Sequence, residues 1–228
     1  MNQNNSKKFI VAAIKPWNIE NYKIYCRGNF KLITDRAGLK NGRLEKIKPK
    51  YIFFPHWSWI IPEEIWKNYE CVVFHMTDLP YGRGGTPLQN LILRGHKKTK
   101  ISAIKVNGGI DTGDIYMKTP LSLSGSAEEI YRRASKAIFS KMIPAIIKNN
   151  PTPRKQSGKA VIFKRRKPEQ SRIPDNLDVK EAYDFIRMLD APGYPRAYLE
   201  TRKLKIELSK AKIDKKTVKV EAKVYIKK

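Results

Sequence analysis

Two short stretches hold residues whose types and spacing can do chemistry. The run CVVFH (71–75) is apolar until it closes on His75, and the downstream stretch NGGIDTGD (107–114) carries Asp111. A core strand gains nothing from an imidazole at its mouth. Beside a carboxylate, an imidazole can take up or release a proton near neutral pH. A histidine at a strand end also serves plain structure, so its surroundings decide. Here MTDLPYGRGG (76–85) follows, with glycines that let a ligand approach the backbone and one guanidinium, Arg83, suited to an anion. A histidine and an aspartate drawn from two adjacent strand ends form a general acid–base and electrostatic unit.

The elements around these stretches must present them. FIVAAI (9–14), FKLIT (30–34), YIFFP (51–55) and CVVFH (71–75) are short continuous apolar runs, the pattern of strands buried on both faces in a parallel sheet. PEEIWKNY (62–69) reads as a helix, with proline first and acids in its first turn. Thr86-Pro87-Leu88-Gln89 has the form of a capping box, with Gly95 as its stop. Ser126-Ala127-Glu128-Glu129 is a second one, opening the longest helix, which Pro144 should kink or shorten. The strand KISAIKV leads into the Asp111 loop.

The expected fold is α/β: a Rossmann-like, mostly parallel sheet flanked by helices, with a short C-terminal helix plus β-hairpin extension. Residues 1–150 form the catalytic domain and 151–178, including the loop PTPRKQSGK, a linker. Residues 179–228 form a small extension, with a helix over VKEAYDFIRML and two alternating β arms around Asp214. In open α/β sheets ligands gather at the carboxyl ends of strands, where His75 should sit.

Composition narrows the classes. With 41% hydrophobic residues, 228 residues can bury a real core, which excludes wholesale disorder. Cys26 and Cys71 share no metal-ligand spacing, and Cys71 suits a buried free thiol; no metal is expected. The six apolar residues FIVAAI are too few for a signal-peptide core, so a cytoplasmic protein without membrane contact is the default. The net charge of +26 attracts nucleic acid, anionic membrane or phosphorylated small molecules. The lysines are scattered and not interleaved with aromatics, so most of this charge reads as solvated surface.

HMTDLPYGRGGTPLQ followed by GGIDTGD resembles the N10-formyltetrahydrofolate-dependent formyltransferases, which include enzymes acting on methionyl-tRNA, glycinamide ribonucleotide and amino sugars. The resemblance covers residues 50–150, and the 36-residue separation of His75 and Asp111 is similar to that of the tRNA enzymes. It implies formyl transfer from N10-formyltetrahydrofolate to an amine. His75 would stabilise charge on the formyl oxygen, and Asp111 would orient the imidazole and help remove the amine proton. It also implies folate contacts from Trp57, Ser58, Trp59 and Ile60, from Arg83 and Gly84, and from Asn107, Gly108, Gly109 and Ile110. The family pattern has asparagine two residues before the histidine; here that position is Val73. Valine cannot donate to an oxyanion, and losing such a donor costs roughly 10²–10³ in rate. Ser58, Thr77, Asn90 and Asn107 are candidate replacements.

For the acceptor, the 78 residues after Asn150 look too few for the β-barrel domain of the tRNA enzymes. FKRRKPEQSRIP and APGYPRAYLE resemble the junction in sugar N-formyltransferases. The expectation is therefore a nucleotide-linked amino sugar, specifically a UDP-linked 4-amino-4,6-dideoxy sugar. Lys15, Trp17 and Asn18 would contact it, nucleic acid would be an unlikely partner, and a homodimer is possible. The alternatives are formylation of an aminoacyl group on tRNA or a peptide carrier, and a basic nucleic-acid-binding module on an inactive transferase fold.

Overall fold

The computed structural model describes residues 9–227. In chain order its elements are β1 (Phe9–Ala12), α1 (Pro16–Tyr25), β2 (Phe30–Ile33), α2 (Asn41–Ile47), β3 (Tyr51–Pro55), α3 (Glu63–Asn68), β4 (Cys71–His75) and β5 (Tyr81–Gly84). They continue with α4 (Pro87–Leu93), β6 (Lys98–Lys105), β7 (Ile115–Ser122), α5 (Ala127–Ala137), α6 (Ile143–Asn149), β8 (Val161–Phe163), α7 (Val179–Arg187), β9 (Ala197–Glu200), β10 (Leu204–Ile213) and β11 (Val218–Ile226). The chain divides into two compact units. Among the described residues, one comprises 9–83, 100–121 and 132–161, and the other 84–99, 122–131 and 162–227.

The first unit is built on a six-stranded sheet in the order β2-β1-β3-β4-β6-β7. The four apolar runs of the N-terminal half become its parallel strands, and every residue of β3 is buried. Burial on both faces is what turns a short unbroken run of Ile, Val and Phe into a central parallel strand. β6 then enters antiparallel to β4, so the sheet is mixed. Strand order reverses between β1 and β3, and in open α/β sheets ligands bind beyond the carboxyl ends of the strands at such a reversal. The register Pro55↔Phe74 sets the exit of β3 level with the end of β4, and His75 lies opposite Ser102 of β6.

Two helix signals resolve differently. Ser126 and Glu129 make the expected capping box, with Glu129 N donating to Ser126 Oγ (3.3 Å) and Ser126 N to Glu129 Oε2 (2.7 Å). This helix is cut short ahead of Pro144, ending at Ala137. The chain widens through one π-helical turn, Ile138–Met142, and restarts as α6 with proline in its first turn, where no N–H is needed. Thr86 makes no cap, contrary to its sequence pattern. Its backbone is left-handed (φ 45°), and its Oγ1 accepts from Arg166 N (3.1 Å) and Asn90 Nδ2 (3.1 Å) instead. Gln89 turns inward, donating to Tyr131 Oη and the Met188 carbonyl.

In the second unit α7 opens on a capping box from Asp178 and Glu181 and packs on β10. The tail forms the expected antiparallel hairpin of β10 and β11. A third strand, β9, which the sequence pattern does not announce, makes a three-stranded sheet in the order β11-β10-β9.

Candidate active site

His75 arrives on the last residue of β4 and is 9% exposed. Its Nε2 lies 2.7 Å from the Gly82 carbonyl oxygen. A carbonyl only accepts, so Nε2 carries the hydrogen and Nδ1 is the ring atom left to exchange a proton. The loop that delivers Gly82 is braced from β6 and β7. Ser102 Oγ donates to the Thr77 carbonyl (2.7 Å) and accepts from Leu79 N (3.3 Å). Lys118 Nζ donates to Asp78 Oδ1 (2.5 Å) and the Leu79 carbonyl (2.6 Å), while Lys100 Nζ lies 3.0 Å from Asp78 Oδ2. Partial burial pushes the Asp78 carboxyl up, but the two ammonium groups outweigh it and hold Asp78 below the usual carboxylate range.

Asp111 reaches His75 by a route the sequence does not suggest. Because β6 runs antiparallel to β4, its carboxyl end at Lys105 lies beside Val72, at the opposite end of β4 from His75. The expected meeting of two adjacent strand ends therefore does not occur. Instead the loop 106–113 folds back and sets Asp111 Oδ2 3.4 Å from His75 Nδ1. Asp111 holds a left-handed backbone (φ 53°), which is costly for a residue with a Cβ. Asn107 Oδ1 organises the loop, accepting from Gly109 N (3.1 Å) and Thr112 Oγ1 (2.8 Å). Gly113 has no alternative: a Cβ there would stand 1.6 Å from the Lys105 carbonyl oxygen.

A residue with no motif around it completes this arm. Gln156, in the loop after α6, donates from Nε2 to the carbonyls of Asp111 and Gly113, each at 2.8 Å. Its Oε1 accepts from Arg83 Nε (3.0 Å) and an Arg83 terminal nitrogen (2.8 Å). No sequence signal marks it, since a lone glutamine in a polar loop has no pattern.

The other candidates fall into separate contact groups. Trp57 packs edge-on to Trp59 (centroids 4.9 Å apart) and to Phe54 (5.7 Å), while Ser58, Trp59 and Ile60 are exposed. Asn107, Gly108, Gly109 and Ile110 are exposed as well. Beyond β1 and β3, the Trp17 ring lies 5.6 Å from the His56 ring, with Lys15 Nζ 6.0 Å above Trp17. Burial first, then the neighbouring Lys15 charge, pushes His56 down to about 3; burial also lowers Lys15. Asn18 is buried and donates to the Pro55 carbonyl (3.0 Å), so it fastens α1 to the end of β3. Gly84 (φ 100°) belongs to the second unit, where a Cβ would stand 2.5 Å from the Phe163 carbonyl oxygen.

Val73 packs on the apolar cluster that includes Phe54, so it offers no polar atom. Of the replacements considered, Thr77 Oγ1 donates to the Gly82 carbonyl, Asn90 Nδ2 is bonded to Gly85, Thr86 and Lys164, and the Asn107 oxygen is occupied in its own loop. The Trp57 indole Nε1 is buried and has no partner among the described residues. A buried N–H without an acceptor costs on the order of 1–3 kcal/mol, so it calls for one from a ligand or water. The orphaned donor and the apolar Trp57–Trp59 pair fit a flat heteroaromatic group of the pterin kind.

Residues 35–146 match the family profile described as formyl transferase, and residues 168–227 match the methionyl-tRNA formyltransferase C-terminal domain. A solved structure of a methionyl-tRNA formyltransferase from Clostridium thermocellum is 52% identical, with a TM-score of 0.94; the match covers 96% of this chain and 99% of that one. A methionyl-tRNA formyltransferase from Clostridium botulinum is 26% identical over 91% of this chain and 68% of its own length. The chain spans only 41% of some other curated relatives. A 4-N formyltransferase from Francisella tularensis matches at a TM-score of 0.67 over 87% of this chain and 94% of its own, at 18% identity, which shows a common fold alone.

These findings correct two expectations. The nucleotide-linked amino sugar is overturned as acceptor and partner, and nucleic acid is no longer an unlikely partner, because the 52%-identical relative of nearly the same size is a methionyl-tRNA formyltransferase. The length argument failed on physical grounds: residues 168–227 match a family model of a methionyl-tRNA formyltransferase C-terminal domain while forming a three-stranded sheet with α7 against it rather than a barrel. Sharing 52% of its residues with that relative over almost the relative's entire length, the chain belongs to the formyltransferase family, which draws its formyl group from N10-formyltetrahydrofolate.

Proposed function

We propose that this chain transfers the formyl group to the α-amine of an aminoacyl group carried on tRNA, with Met-tRNA as the acceptor. The observation that carries the chemistry is the His75–Asp111 pair, with Nε2 committed to Gly82 and Nδ1 3.4 Å from a carboxylate. When bound, N10-formyltetrahydrofolate supplies an electrophilic formyl carbon. A protonated amine cannot attack it: as the amine nitrogen bonds to the formyl carbon and that carbon's bond to the donor nitrogen breaks, His75 Nδ1 takes the amine proton, Asp111 stabilises the positive ring that results, and the proton is then given to the departing nitrogen. The Trp57 N–H would donate to the bound donor, and Trp59, Ile60 and Ile110 would cover it and exclude water. Arg83 rests on the neutral amide of Gln156, and its charge is directed at an anionic group of a substrate.

The acceptor assignment is supported by the named relatives, by the domain match at residues 168–227 and by a net charge of +26, which suits a polyanion. The test is mass spectrometry of Met-tRNA incubated with protein and N10-formyltetrahydrofolate, with His75→Ala as the blank. Formyl-methionine released on deacylation is the expected result. Transfer to a carrier-bound aminoacyl thioester in preference to Met-tRNA would replace tRNA with the second acceptor reading.

A further inference from the structure

Gln156 joins Asp111 to Arg83. Its four hydrogen bonds, all between 2.8 and 3.0 Å, use both ends of the amide: two donated to loop carbonyls and two accepted from one guanidinium. The carbonyls belong to Asp111 itself and to Gly113, on either side of Thr112. Asp111 sits in the left-handed region, a conformation that persists in a non-glycine residue only where the surroundings enforce it. Gly113 closes against Lys105 on one side of the loop, and Gln156 holds the other.

We propose that Gln156 is a positioning residue. It holds Asp111 against His75 Nδ1 and, through the same amide, keeps the Arg83 guanidinium aligned with that pair. A glutamine is chemically suited to this place. Glutamate would satisfy Arg83 but has no hydrogen for either carbonyl; lysine or arginine would serve the carbonyls and repel Arg83. Only a neutral amide serves both while leaving the charge of Arg83 uncompensated. This inference rests on the formyl-transfer reading for its kinetic consequence but not for its geometric one.

Two measurements separate those parts. The ¹⁵N chemical shifts of the His75 ring report the proton and partner at Nδ1 whatever the acceptor is. They should move in Gln156→Met toward the values found in Asp111→Asn. His75 shifts unchanged from wild type in Gln156→Met would overturn the inference, even if the acceptor were never found. In steady-state transfer, kcat should fall about 10- to 100-fold in Gln156→Met, with KM for Met-tRNA within threefold, since misplacing a catalytic group by about 1 Å costs on that order. Gln156→Glu should match it within about threefold. In the Asp111→Asn background the same substitutions should cost less than twofold, because their effect passes through Asp111. An equal loss in both backgrounds, or wild-type kcat in Gln156→Glu, would show a merely structural side chain.

Discussion

The two arms of the candidate site are held in opposite ways. The His75 arm closes locally, since the strand ends on the histidine and the next seven residues bring Gly82 back to Nε2; Ser102, Lys100 and Lys118 of neighbouring strands only brace that turn. The Asp111 arm depends on remote chain. Its strand runs the wrong way, its loop doubles back in a left-handed conformation, and its clamp comes from a glutamine 45 residues downstream. The first arm is fixed wherever the sheet forms. The second exists only once the segment after α6 has docked.

The contrast can be broken at its centre. His75→Ala should lower formyl transfer by about 10³-fold or more, and Asp111→Asn by about 10²–10³; each removes a proton-handling or charge-stabilising group, and thermal unfolding should change little in Asp111→Asn, whereas His75→Ala also strips a donor from the Gly82 carbonyl. Turnover assays that found either variant at wild-type rate would remove the pair from the reaction. Gly113→Ala should come next: a Cβ 1.6 Å from the Lys105 carbonyl forces the loop open, so transfer falls toward the level of Asp111→Asn while β4 and His75 stay in place. A crystal structure of that variant with an unaltered Asp111 loop would contradict the account.

Ser102→Ala sharpens the comparison from the other arm. It strips partners from the Thr77 carbonyl and Leu79 N, both buried, so stability should drop by about 1–3 kcal/mol in denaturant titration. The loss in kcat should stay below about tenfold, because Lys118 still holds Leu79. The last effect is one of pH and leaves turnover at neutral pH untouched. His56 is pushed down to about 3 in the fold, against about 6.5 when unfolded, so the unfolded chain binds the extra proton. Stability from this group is full above about pH 6.5 and declines by up to about 1.4 kcal/mol per unit as pH falls toward 3. His56→Gln should flatten that slope between pH 6 and 4; an identical slope would mean that other groups carry it.

The legible parts of the chain share a cause. YIFFP and CVVFH matched their strands to the residue, because a strand buried on both faces must be apolar throughout and must stop where polar residues begin. The box at Ser126 was readable because its hydrogen bonds close within four residues. The same pattern at Thr86 misled, since Arg166 N, 80 residues away, claims the hydroxyl. Gln156 left no trace for a similar reason: its four partners come from residues 83, 111 and 113, and none is near it in sequence. The acceptor was misjudged because the length of a tail does not reveal what its surface binds.

The sequence by itself determined the apolar strands, the delivery of His75 to the end of one of them, and the two glycine-rich loops, because each depends on side-chain burial and backbone freedom over a few consecutive residues. Only the tertiary structure decided that β6 runs against β4, that Asp111 therefore comes back over the sheet to meet Nδ1, and that Gln156 holds it there. Strand direction and loop closure are settled by packing between distant segments, where hydrogen bonds must be satisfied by whichever chain arrives, and short-range pattern carries no record of that choice.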